Sequence, residues 1–119
     1  MTRTTTSSKL SVKLSVAHQT LMDLLTTAVE SGGSSMWADF TDPIPDAGCY
    51  DRITVSDSEG TYRQQITATD LLIGLQKMAD SGDAPALRHL LDALTPAKMG
   101  MWTADVVLQW TCFGKVIYG

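Results

Sequence analysis

Apolar residues recur along this chain with two different periods, and the switches between them mark most of the elements. Leu10, Val12 and Leu14 alternate with polar neighbours, the two-residue period of a half-buried strand over residues 9–14. From Ser15 the spacing lengthens. Leu21, Leu24, Leu25, Ala28 and Val29 share one face of a helix that Ser15 caps, and Gly32-Gly33 closes it after Ser31. Residues 34–48, SSMWADFTDPIPDAG, follow neither period and carry two prolines, which predicts a structured loop with no more than a short strand over Met36–Phe40. A hairpin follows: Arg52–Val55 alternates, Asp57-Ser58-Glu59-Gly60 turns, and Thr61–Thr67 returns. Arg52, Arg63 and Gln65 fall on the same face of that hairpin, which is therefore expected to be wet.

Thr69 then reads as a helix cap, with Asp70 in the first turn and Leu71, Leu72, Leu75, Met78 and Ala79 as the apolar stripe up to Gly82. Asp83 and Pro85 start another helix, with Leu87, Leu90, Leu91 and Leu94 at helical spacing and Thr95-Pro96 as its stop. In the last segment Thr103 is a candidate cap and Asp105 suits a first turn. Val106–Phe113 is apolar nearly all round, Gly114 ends the helix, and Lys115–Tyr118 has the β-branched content of a strand. Period alone does not separate a helix from a strand over Val106–Trp110. The predicted class is α+β: a small, mainly antiparallel sheet of N-terminal strand, central hairpin and C-terminal strand, with three to four helices packed on it. Met1–Ser8, rich in Thr and Ser and with no apolar run behind it, reads as a flexible tail rather than a secretory leader. Residues 9–119 read as a single domain.

Composition supports a folded chain: 44% of the 119 residues are hydrophobic and 18% charged, unlike the apolar-poor make-up of disordered segments. Charge narrows the function classes. A net charge of −4 is the wrong sign for a phosphate-backbone surface, so no direct nucleic-acid binding is expected. No apolar run approaches the roughly 20 residues of a membrane helix, so no membrane partner is expected either. Between Lys13 and Arg52 there is no Lys or Arg, while Asp23, Glu30, Asp39, Asp42, Asp46 and Asp51 all fall there. Those acids read either as a solvated surface or as a face for a basic partner.

The residues suited to chemistry do not assemble into a reactive set. Cys49 and Cys112 lie far apart, with no Cys or His spacing that suits zinc, and two reduced thiols in a cytoplasm are expected. His18 and His89 have no nucleophile at a telling distance in sequence, and Cys112 sits among Trp110 and Phe113, the setting of a buried, inert thiol. No catalytic residue, metal site or cofactor is predicted. Asp105 and Gln109, at i and i+4, form the one polar stripe on the last helix. They serve either to satisfy helix and backbone groups or, with Trp102, as the polar anchor of a binding site. Trp37, in the irregular segment, is the candidate aromatic anchor of an exposed contact surface, with core filling as its alternative; Asp39, Asp42 and Asp46 would be its acidic rim.

Two segments also carry a resemblance. LLTTAVESGGSSMWADF resembles the "L..A.EGG..YW" segment of a group of small, mostly uncharacterised phage and prophage proteins, through Leu25, Ala28, Glu30, Gly32, Gly33 and Trp37. WTADVVLQWTCFGKVIYG is similar to that group's "TADV.LQ...FG.V.YG" signature, through Thr103, Ala104, Asp105, Val106, Leu108, Gln109, Phe113, Gly114, Tyr118 and Gly119. Ser31 interrupts the first pattern, Met36 stands where an aromatic is usual, and Lys115 where an acid is common. The resemblance implies a phage or prophage accessory protein acting in the bacterial host cytoplasm by binding a host protein, with defence and regulatory systems as the kind of target. A nucleotide-type small-ligand binder and a homo-oligomeric assembly component are the rival expectations.

Overall fold

A computed structural model describes residues 13–119 and places the most uniformly apolar helix of the chain at its centre. The elements run α1 (His18–Glu30), β1 (Ala38–Asp46), β2 (Cys49–Asp57), β3 (Arg63–Thr67), α2 (Asp70–Asp80), α3 (Ala84–Ala93), a 3-10 turn (Pro96–Lys98) and α4 (Met101–Phe113). The class is α+β. Ala104, Val107 and Leu108 of α4 are buried among α1, α2 and α3, which all pack on it. A helix apolar nearly all round needs neighbours on most of its sides, and this one has three helices against it.

The three strands form one antiparallel sheet in the order β1-β2-β3. Phe40 lies opposite Val55, and Ile53 opposite Ile66, so these side chains face the helices. The other face carries Thr41, Thr54 and Gln65 in one row, with Arg52 and Arg63 at its ends, the polar face that the alternation predicts. The turn between β2 and β3 closes on Asp57, which accepts from the Thr61 hydroxyl and the Tyr62 N–H; these bonds hold its carboxyl below the usual range.

Three expectations need correction. Residues 38–46 are a full strand rather than a loop. Pro43 and Pro45 are tolerated because β1 is an edge, where a missing N–H leaves no ladder bond unmade. The register shifts around Ile44, with Asp42 at a φ of 52°, and this bulge hides the two-residue period. Ala47-Gly48, both at positive φ, form the tight turn into β2.

Second, Lys115–Tyr118 is not a strand. It has no regular structure, and its backbone is bonded to a side chain instead, as described below. Third, Lys13–Ala17 has no regular structure and α1 starts at His18, so Ser15 is not its cap; the rest of the expected N-terminal strand, and the 1–8 tail, lie outside the described residues.

The helix ends follow local chemistry more closely. Asp83 caps α3 by accepting from Ala86 N–H, with Pro85 in the first turn. The α2 start is closed by a reciprocal pair, Thr67 N–H to Asp70 and Asp70 N–H to Thr67 Oγ1, rather than by Thr69. Of the leucines on α3 only Leu90 is buried. Ala86 and Ala93 share its face, while Leu91 points outward at 67% exposure.

The crossing of α2 on α4 depends on one missing methyl group. A Cβ at Gly74 would collide with Thr111 Oγ1 and lie 2.9 Å from the Thr111 backbone nitrogen. Gly74→Ala is therefore expected to destabilise the fold by about 1–3 kcal/mol, the usual cost of overpacking. Adding Thr111→Ala should restore only part of that, because the backbone contact stays. Thermal melts of the two variants check both statements.

Candidate functional site

The site is built where the loop after α1 and the segment after α4 both meet the first half of α4. Gly33 brings the loop in: a Cβ there would sit 2.6 Å from the Met101 carbonyl oxygen, so only glycine lets the loop lie flush on the start of α4. Ser34 and Trp37 then turn inward. Ser34 Oγ donates to Asp105 Oδ1 at 2.7 Å, and Trp37 Nε1 donates to the same oxygen at 2.8 Å. The second carboxylate oxygen, Oδ2, accepts from Gln109 Nε2 at 2.9 Å. Asp105 is thus a buried carboxylate used on both oxygens, and charge-assisted bonds of this kind are the stronger ones.

Gln109 is fully buried and makes every bond its amide allows. Nε2 donates to Asp105 and to the Tyr118 carbonyl at 3.0 Å, while Oε1 accepts the Ile117 and Tyr118 N–H groups, both at 2.9 Å. A single side chain therefore does for residues 117–118 what a neighbouring strand would have done. Gly114, at a φ of 72°, turns the chain back so that they reach it. Tyr118 stacks parallel on Trp37 with 5.2 Å between ring centroids, and Phe113 tilts against both rings at 5.9 and 5.3 Å.

Around this node lies a cleft of about 670 Å³, lined mainly by apolar side chains: Met36, Trp37, Trp102, Val106, Val116, Ile117 and Tyr118, with His89 and Asp105 as polar members. Its rim is open. Met36 is 77% and Trp102 62% exposed, and Val116 and Ile117 are each close to half exposed. His89 Nδ1 is hydrogen-bonded to the buried Thr103 Oγ1 at 3.1 Å, which fixes the imidazole at the cleft wall. Thr103 lies inside α4 and does not cap it; the cap position is Gly100.

Sequence-predicted site residues divide accordingly. Asp105, Gln109 and Trp102 do come together at one place, but with different jobs. The first two are spent on internal bonds, and only Trp102 is offered to the outside. Trp37 is buried, its indole N–H committed to Asp105, so it is not a surface anchor. Asp39, Asp42 and Asp46 are exposed along β1 and take no part in the cleft lining. Met36, His89, Val116 and Ile117 escaped sequence reasoning. The nearest signal was Met36 in the place where an aromatic is usual beside Trp37.

The cysteines do not join an acid–base set. Cys112 bonds to the Tyr62 hydroxyl, and burial pushes its thiol up to about 11, so it stays protonated at neutral pH. Cys49 sits 3.5 Å from Asp23 Oδ1, while the nearby His18 imidazole pairs with Asp51 instead, at 3.1 Å. Among the described residues no group of three or more His, Cys, Asp and Glu side chains is placed to hold a metal, and no helix is long and apolar enough to cross a membrane.

Compared with known protein families, curated proteins and solved structures, the chain matches none. The loop after α1 and the C-terminal segment of the sequence meet here: Gly33 on Met101, Trp37 on Asp105, and Phe113 and Tyr118 on Trp37.

Two outcomes are expected. Asp105→Asn puts an NH2 group against Gln109 Nε2, and Gln109 cannot rotate without losing residues 117–118. The cost should be about 1–3 kcal/mol, that of an unsatisfied buried group. Gln109→Glu fails for the mirror reason, so the double variant Asp105→Asn/Gln109→Glu, which restores a donor–acceptor pair, should be more stable than the sum of the singles; urea unfolding of the four proteins tests this cycle. Separately, because its thiol is held up at about 11, Cys112 should react with iodoacetamide at pH 8 much more slowly in native protein than in urea-unfolded protein; peptide mass mapping over time measures both rates.

Proposed function

We propose that this protein is a non-enzymatic binding module, an accessory protein of phage or prophage type, whose contact surface for a host protein is the Trp102 cleft. The observation that carries the reading is the exposure of Met36 and Trp102 on the rim of an open apolar cleft whose floor is already hydrogen-bonded. Large exposed apolar side chains grouped around a concavity mark interaction surfaces, and tryptophan is the commonest hot-spot residue. The polar floor has few groups left to offer a ligand. It positions the rim.

Charge argues for a protein anchor over a nucleotide. The cleft's acidic member is Asp105, its basic-capable member is a single imidazole, and Tyr118 at one end lies close enough to Asp57 and Glu59 for both to push its phenol up, after burial. Phosphate would meet negative potential there. The segment that fits is an apolar or aromatic side chain of a protein, flanked by a basic residue on the Glu59 side. Asp39, Asp42 and Asp46 on β1 add to the same field and act on encounter rate, so association should slow as salt rises. Part of the apolar circumference of α4, which motivates the homo-oligomer reading, packs within the protomer against α1, α2 and α3, while Trp102, Val106 and Trp110 line the clefts.

The test is affinity capture from bacterial host lysate with wild type, Trp102→Ala and Met36→Ser. Both positions are exposed, so the melting temperature should hold while the captured partner falls more than about tenfold with Trp102→Ala, as expected for loss of a hot-spot aromatic. Capture that survives both substitutions removes the cleft from the contact surface, and a melting temperature raised by nucleotides would favour the small-ligand alternative.

A further inference from the structure

Residues 115–119 leave α4 at Gly114 and lie across the molecule without a buried residue among them: Lys115, Val116, Ile117 and Gly119 are exposed and Tyr118 is half-buried. Among the described residues, every hydrogen bond that fastens this segment ends on one side chain, Gln109, and its apolar hold centres on the stack of Tyr118 on Trp37. On either side of it is a cleft. The Trp102 cleft lies on one side; on the other is a second, of about 610 Å³, walled by Ala86 and Trp110. The two share His89, Val106 and Val116, so Val116 of this segment is part of the partition between them.

We propose that residues 115–119 are a detachable strap, latched by Gln109 and by the Tyr118–Trp37 stack, and that its release joins the two clefts into one apolar trough along α3 and α4. Four features make release local. The bonds of Ser34 and Trp37 to Asp105 do not involve the strap, so the floor survives without it. The Gln109 amide, once uncovered, faces an open trough where water replaces the three backbone groups it loses, and exchanging such bonds for water costs little net. Val116 and Ile117 are already close to half in solvent, so little of their apolar area changes environment. The αL residue at the pivot, Gly114, is the residue type that accepts large backbone rotation at least cost. That the strap sets the size of the partner-binding surface rests on the function proposed above; that it opens is a property of the chain alone.

Hydrogen–deuterium exchange on the full chain tests the opening. Ile117 and Tyr118 amides donate to Gln109 Oε1, so they exchange only when the latch breaks. They should exchange at least about tenfold faster than Val107 and Leu108, whose amides need α4 itself to open. Tyr118→Ser should speed Ile117 and residue 118 by a further order of magnitude, leave Val107 and Leu108 unchanged, and raise the emission of the apolar dye Nile red as the trough forms. Equal rates for Ile117 and Leu108 in wild type would overturn the proposal, since the segment would then open only with the whole fold. Loss of α4 protection in Tyr118→Ser would overturn it too, as would faster exchange without a rise in dye emission. None of these readouts involves a partner, so failure of the host-capture experiment leaves them standing.

Discussion

The Asp105–Gln109 pair is the constraint on which the rest of the site depends. One carboxylate and one amide, a helical turn apart on α4, bind the loop after α1 through Ser34 and Trp37 and the end of the chain through residues 117 and 118. Without them, neither irregular segment has a reason to lie on this face of α4. With them, every polar atom involved is paired, which is the condition under which a buried polar network rigidifies a structure rather than weakening it. The i, i+4 spacing is what allows it: the two side chains touch each other and so fix each other's orientation before anything else is bound.

Saturation also explains the division of labour at the surface. A buried amide with all four bonds made and a carboxylate with both oxygens occupied have little left to give a ligand. What the network contributes outward is shape. It holds Trp37 inside as a platform for Tyr118, and on the same face stand the side chains that line the rim, Met36, Trp102 and Val116. The helix carrying the network is the most buried element of the fold and yet supplies its most exposed tryptophan, because Trp102 sits in the first turn, before α4 passes beneath its neighbours.

Much of the fold was legible from local signals. Gly32, Gly82 and Gly114 end helices at positive φ, Asp83 caps α3, and the alternation of Arg52–Val55 marks a strand with one wet face, because each of these is decided by residues a few positions apart. The failures have a common cause. β1 was hidden because edge position, not local pattern, makes its prolines acceptable. The 115–118 segment has strand composition but no strand to pair with, and its partner is a side chain eight or nine residues upstream. Trp37 has nothing in its neighbourhood to separate a buried indole from an exposed one; the deciding carboxylate lies 68 residues away. Asp105 and Gln109 stood out as a polar stripe, and the structure shows the pair satisfying backbone and side-chain groups beside the cleft that Trp102 lines.

The sheet and the cleft then complement each other in what they refuse and what they accept. Among the described residues β1 is an edge, the part of a sheet most prone to recruit another strand. Here it carries two prolines, a bulge at Asp42 and three exposed aspartates, each of which discourages strand addition. The opposite edge, β3, is only five residues long and begins with Arg63, Gln64 and Gln65, all exposed and polar. With both edges blunted and the open sheet face polar, the concave apolar surface that the described residues offer flanks residues 115–119. Val116, one of the side chains that the two clefts share, comes from a segment with no buried residue whose hydrogen bonds among the described residues all end on the Gln109 amide, so the wall between the clefts rests in part on that one side chain.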